Sequence, residues 1–168
     1  MAFYLDLITG RPSRVTPLTT SAGAVDALKI VQTNSAGQID GTLLPGGIGP
    51  DSVTVVAASA LTAGQQVNVF NNAGTANVRP AIATGIATES HGYVTASFGA
   101  GAMATVFFDD NNTAVTGLTP GVQFLSATIA GGVTITPPSA AGQIVQRVGV
   151  ATSATSLHQS GSPESYLL

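Results

Sequence analysis

The chain repeats itself. Moved along itself by 57 residues, the separation of Leu61 from Leu118, it falls into register without a gap. Leu61, Thr62, Gly64 and Gln66 then coincide with Leu118, Thr119, Gly121 and Gln123, Ala73-Gly74 with Ala130-Gly131, and Pro80 with Pro137. Ala83, Gly85, Gly92 and Thr95 coincide with Ala140, Gly142, Gly149 and Thr152. In a chain rich in Ala, Gly and Thr, many such matches carry little information. The glycines and the proline carry more, because their roles belong to the backbone: glycine admits φ > 0, and proline fixes φ and removes a donor. Their recurrence at one ungapped offset reads as one β-supersecondary unit used twice, over residues 61–108 and 118–157. What is duplicated is a scaffold, and no catalytic side chain recurs within it.

The units are built of short β-forming runs: Val53–Ala58, Gln66–Phe70, Asn77–Ile82, Tyr93–Ser97, Ala104–Phe108, Gln123–Ala127, Val133–Thr136 and Ile144–Thr152. Val, Thr, Phe and Tyr dominate them, and Gly, Asn, Pro or Ala-Gly separate them. A spacing of about 8–12 residues predicts an all-β sandwich or closed barrel of short antiparallel strands. Phe98-Gly99-Ala100-Gly101 reads as a hairpin connection and Asp109–Thr113 as a polar loop. Within Ile144–Ala151, alternation puts Ile144, Gln146, Val148 and Val150 on one face and Arg147 on the other. No window keeps a 3.6-residue apolar period over three turns, so little helix is expected.

Residues 1–50 differ. Pro12, Pro17, Pro45 and Pro50 break them up, and their apolar residues come in patches too small for a core: Phe3-Tyr4-Leu5, Leu28-Ile30-Val31 and Leu43-Leu44. They read as an extended N-terminal arm that docks on something, the alternative being an arm folded back onto its own domain, ahead of a β-domain over 51–168. Within the arm, Ala27–Thr33, a turn at Asn34-Ser35-Ala36-Gly37 and Gln38–Asp40 are expected to form a small hairpin. Gly46-Gly47-Ile48-Gly49 lacks the Gly-Lys-Ser/Thr ending of a phosphate loop and precedes no helix, so it reads as a hinge.

Composition narrows the function. Charged residues are 8% of the 168, against about 25% in an ordinary domain. With 44% hydrophobic residues and a mean hydropathy of +0.37, the chain is nonetheless a folding one, its polar surface made of Ser, Thr, Asn and Gln. A surface so poor in charge suits a protein packed into an assembly better than a free monomer. The net charge is −3, and Arg11, Arg14, Lys29, Arg79 and Arg147 form no stripe, which argues against nucleic acid as a partner. There is no cysteine, hence no disulfide and no zinc–thiolate site. Met1–Arg14 has no basic region ahead of its apolar residues and does not read as a signal peptide. The uncharged window Ser52–Val78 is interrupted by Gly64, Gln65, Gln66, Asn71 and Asn72 and is no transmembrane helix, so no membrane partner is expected.

Readings with chemistry are weak. The two histidines, His91 and His158, have serines and Asp109-Asp110 elsewhere in the chain, but no Gly-x-Ser-x-Gly turn presents a nucleophile. Glu89 and His91 would share a strand face, yet two ligands do not make a zinc site. Asp109-Asp110-Asn111-Asn112-Thr113 is rich in oxygen but lacks the fixed glycine and distant glutamate of a calcium loop, and reads as a turn in which Asx side chains cap the backbone. No carboxylate pair stands in a glycosidase-like setting. The expectation is a protein that is not an enzyme and needs no cofactor and no metal.

Several blocks together resemble a known family. Lys29-Ile30-Val31, then Gly37-Gln38-Ile39-Asp40-Gly41-Thr42-Leu43-Leu44-Pro45 and Gly47-Ile48-Gly49, resemble a segment of small virion proteins of tailed bacteriophages. In the domain, His91-Gly92-Tyr93-Val94, Thr116-Gly117-Leu118-Thr119-Pro120-Gly121, Phe124-Leu125-Ser126-Ala127, Pro137-Pro138 and Val145-Gln146-Arg147-Val148-Gly149-Val150-Ala151 extend the resemblance over residues 29–155. The resemblance is to capsid decoration (cement) proteins. It implies a homo-oligomer, most often a trimer, seated on the outer face of a capsid. Its partner would be the major capsid protein, its location the virion surface, and its assembly in the host cytoplasm. The alternative is a head-fibre or tail-fibre module that binds the host surface. Phe3, Tyr4, Leu5, Leu43, Leu44 and Arg147 are the residues expected to dock on capsid or subunit.

Overall fold

The computed structural model describes residues 4–6, 13–44, 50–159 and 164–168. The chain falls into two units, Met1–Gly49 and Pro50–Leu168.

Among its described residues the first unit has little regular structure. Strands β1 (Tyr4–Asp6) and β2 (Ser13–Val15) pair antiparallel, Leu5 opposite Arg14. Single 3-10 turns follow at Ala24–Asp26 and Gly41–Leu43, with one parallel bridge between Leu18 and Val31. Local side-chain bonds hold these turns. Asp40 accepts from the backbone N–H of Thr42 at 3.0 Å and from its hydroxyl at 2.7 Å, and Asn34 Oδ1 accepts from Ala36 and Gln38. The expected hairpin over Ala27–Asp40 does not form; only its turn at Asn34–Gly37 is present. Asp26 ties back to Ala22 N–H and Lys29, and Leu28 then takes a left-handed φ of 65°, so the run never becomes extended. Among residues 16–44 only Pro17 is buried.

The second unit is all-β, and its two halves repeat one strand order. In the first half, β3 (Ser52–Ala57), β4 (Gln66–Asn72), β5 (Thr75–Pro80), β6 (Gly92–Tyr93) and β7 (Met103–Phe107) close into a barrel in the order β3-β5-β4-β6-β7. In the second, β8 (Asp110–Asn112), β9 (Gly121–Leu125), β10 (Val133–Thr134), β11 (Ile144–Ser153) and β12 (Ser156–Gln159) lie in the order β10-β9-β11-β12-β8. Matching β3 with β8, and so on to β7 with β12, superposes the orders. One pair departs from the expected antiparallel pattern: β3 runs parallel to β5, with Val56 opposite Asn77, and this pair closes the first barrel. Its counterpart, β8 with β10, is unpaired, so the second half is an open sheet. A last strand, β13 (Ser165–Leu167), pairs antiparallel with the start of β11.

Each repeat thus begins earlier than residues 61 and 118, at β3 and β8. The expected polar loop at Asp109–Thr113 contains β8, which pairs with β12 with Asn112 opposite Leu157. Asn112 is fully buried in this strand because its amide is satisfied, donating to Gly64 O at 3.0 Å and accepting from Ala114 N–H at 3.1 Å.

Segment Gly64–Gln66 of the first half fills the gap in the second sheet. Asn112 bonds Gly64 on one side; on the other, Gln66 N–H donates to Gly131 O at 2.9 Å and Gln65 Nε2 to Ala130 O at 3.3 Å. A cluster of Val55, Leu61, Val67, Val78, Val94 and Val106 fills the first barrel. The second cluster holds Leu125, Ile144, Val148 and Leu157, together with Ala81 and Ala83 from the first half, so the halves share a core. Among the described residues, no helix is long and apolar enough to cross a membrane.

Candidate functional site

Three places could carry function: the polar cluster around His91, the acidic stretch that begins β8, and the outer face of the second sheet.

His91 stands beside β4 at the entry to β6. Its Nδ1 accepts the Val69 backbone N–H at 3.0 Å, which places the ring proton on Nε2, 3.4 Å from Glu89 Oε1. The other oxygen of Glu89 accepts from the Ser165 hydroxyl at 2.6 Å. Serine, glutamate and histidine are therefore in contact, but in an order that cannot activate the serine. The hydroxyl touches the carboxylate rather than the imidazole, and the imidazole nitrogen that would act as base is already bonded to an N–H. The cluster is a clasp joining β4, the approach to β6, and β13.

Around Asp109 and Asp110 the oxygens face the chain itself. Asp109 Oδ1 accepts from Asp110 N–H at 2.8 Å and Asp110 Oδ1 from Asn111 N–H at 2.7 Å. The Asp109 carbonyl accepts from Tyr93 OH at 3.1 Å. Among the described residues, no group of three or more His, Cys, Asp or Glu is placed to hold a metal ion. Two clefts of the second unit, of about 290 and 450 Å³, are lined by Ala, Gly, Ser, Thr, Pro, Gln and aliphatic side chains and contain no ionisable group.

The outer sheet face holds Arg147. On β11, Ile144, Gln146 and Val148 point inward and are buried, while Val145 and Arg147 point outward. Val150, expected to share the inward face, instead lies outward opposite exposed Val122 and His158. The cause is a register shift between Arg147 and Gly149, an irregularity that turns the strand over by one residue. Cross-strand pairing sets Phe124 beside Arg147 and Tyr166 beside Val145. The sequence singled out Arg147 but not these neighbours. Alternation along β9 could have flagged Val122 and Phe124, whereas Tyr166 is placed only by the pairing of β13.

The other expected docking residues belong to the first unit. Phe3 lies outside the described residues. Tyr4 and Leu5 are in β1, and their side chains are not described. Leu43 is half-buried within the Gly41–Leu43 turn, and Leu44 behind it is exposed. No family model, curated protein or solved structure matches the chain.

Proposed function

We propose that this is a non-enzymatic structural protein of a bacteriophage virion, a decoration protein that binds the outer face of the capsid and stabilises contacts between capsomers. The reading combines the sequence resemblance with one structural observation: most of the large apolar side chains described in the first unit lie in solvent. Val25, Leu28, Ile30, Val31, Ile39 and Leu44 are all exposed, and Leu28 completely so. Burying such a side chain contributes about 1.5–3 kcal/mol. A segment that forgoes this within its own fold is suited to gaining it on a partner, here the major capsid protein. The second unit, with few charges, offers Thr, Ser and Ala surfaces for association with further copies of itself, a trimer by the resemblance. Many symmetric weak contacts then add through high local concentration.

The test is to mix purified protein with undecorated heads of the phage whose genome encodes it and image the particles by electron microscopy. Regular density on the outer surface, saturating at a fixed number of copies, is the expected result. Heads that stay bare at excess protein, with binding instead to host cell surfaces, would replace this reading with the fibre alternative.

A further inference from the structure

We propose that the outer face of the β9–β11–β13 sheet pairs with the same face of a second copy of the chain, Arg147 of each copy meeting Glu164 of the other. The face has the composition of an interface core. Phe124, Val122, Val145, Val150 and Tyr166 all point outward across three adjacent strands, Val122 being 40% and Tyr166 61% exposed. Aromatic residues and arginine, both present in this patch, are among the residues enriched where proteins meet.

Charge selects the occupant. Gln146 pairs with Ser165, so the register carried one step further sets Glu164 next to Arg147. The two form no ion pair: Glu164 Oε2 accepts from Tyr166 OH at 2.6 Å, and the Arg147 guanidinium makes no hydrogen bond or ion pair with the described residues. One unpaired cation and one carboxylate thus stand side by side within an apolar patch. A two-fold axis between them brings each against its opposite, so the face is complementary to itself. The remaining titratable side chain on this face, His158 on β12, bonds Asn111 Oδ1 at 3.3 Å.

Size sets the strength. Three strands at about 4.8 Å spacing, over a length of about 20 Å, give roughly 300 Å² per copy. That is well under half of the about 800 Å² that a stable complex buries on each partner. The pair is weak in free solution and becomes effective where many copies are held close together. The inference does not depend on the capsid reading, and the two can fail separately.

Sedimentation velocity of the full chain from about 10 µM to about 1 mM is the experiment, with Arg147→Glu, Glu164→Arg and their equimolar mixture. The wild type is expected to associate in pairs as concentration rises, the monomer, or the trimer that the resemblance implies, doubling its mass. Each single variant places like charges opposite each other twice and should associate at least tenfold more weakly. In the mixture both contacts join opposite charges, so dimers should return. Unchanged melting temperatures would show the variants folded, and Val122→Asp serves as a third disruption free of the charge exchange. A wild type monomeric up to about 1 mM, an oligomer indifferent to all three variants, or a mixture that fails to restore association would each overturn the proposal.

Discussion

Three glycines sit where no other residue fits. A Cβ built on Gly92 would strike the carbonyl of Phe107, and one on Gly149 the carbonyl of His158. They lie in the equivalent strands of the two halves, Gly92 opening β6 and Gly149 midway along β11, each pressed against its neighbouring strand. On Gly64, with φ of +85°, a Cβ would come within 2.6 Å of the Ala114 carbonyl. The obstacle is backbone in all three cases, so relief requires strands to part. Gly64→Ala, Gly92→Ala and Gly149→Ala should each cost about 2–4 kcal/mol of stability in denaturant melts, while Gly99→Ala, with open space around it, should be near neutral. Tyr93 gives a pH signature. Burial, then the charges of Asp110 and Asp109, raise its phenol above the ordinary 10.0. A raised folded value means that the folded state holds the proton more tightly. The resulting stability is complete below pH 10.0 and is lost as pH climbs through the folded value. Tyr93→Phe should therefore flatten the alkaline fall in melting temperature measured from about pH 8 to about pH 11.5, while losing about 0.5–1.5 kcal/mol at neutral pH with its bond to Asp109.

Between elements, buried polar groups hold the halves together. Gln146 on β11 accepts from Ser90 N–H at 2.7 Å and donates to Ser90 O at 2.8 Å, and the Ser90 hydroxyl donates to Gln66 Oε1 on β4 at 2.8 Å. All three residues are almost completely buried. Gln146→Ala strands the Ser90 backbone and opens a cavity, so about 2–4 kcal/mol of stability should go with it. His91→Ala removes the acceptor for Val69 N–H on β4 and the longer contact with the partly exposed Glu89, and a loss of about 1–2 kcal/mol is expected. A melt in which His91→Ala falls further than Gln146→Ala would reverse this ranking. The duplication was legible because its markers, Gly64, Gly92, Gly121 and Gly149, act through the backbone. The eight strand runs read from β-propensity all contain strand, though Tyr93–Ser97 shrinks to Gly92–Tyr93. β8 was not legible: Asp-Asn-Asn has a turn's composition, and only its pairing with β12 and the amide bonds of Asn112 make it a strand. β12 and β13 went unread as well: β12 turns back onto β11 across Ala154-Thr155, and three-residue β13 is extended only through its pairing with the start of β11. Gly64–Gln66 bridging the open sheet could not be foreseen, since nothing local to β10 reveals that its edge away from β9 has no strand beside it.

For the molecule as a whole, the division of labour is between a unit that folds around shared cores and a unit that buries almost nothing in residues 16–44. Ordering a segment costs about 1–2 kcal/mol for each backbone residue fixed, so the exposed apolar side chains of the first unit must find large partners to bind usefully. Adding strands to a neighbouring subunit or filling grooves on a shell would supply that area. Deletion of residues 1–25 should then spare the melting transition of the second unit, whose described core residues all come from that unit itself. It should instead weaken attachment. The direct measurement is the occupancy of undecorated capsids by intact and truncated protein over the same concentration series, with the melting temperature of each free protein taken alongside. The predicted result is a truncated protein that melts like the intact one but occupies far fewer sites. Full occupancy by the truncated protein would contradict the assignment of docking to the arm.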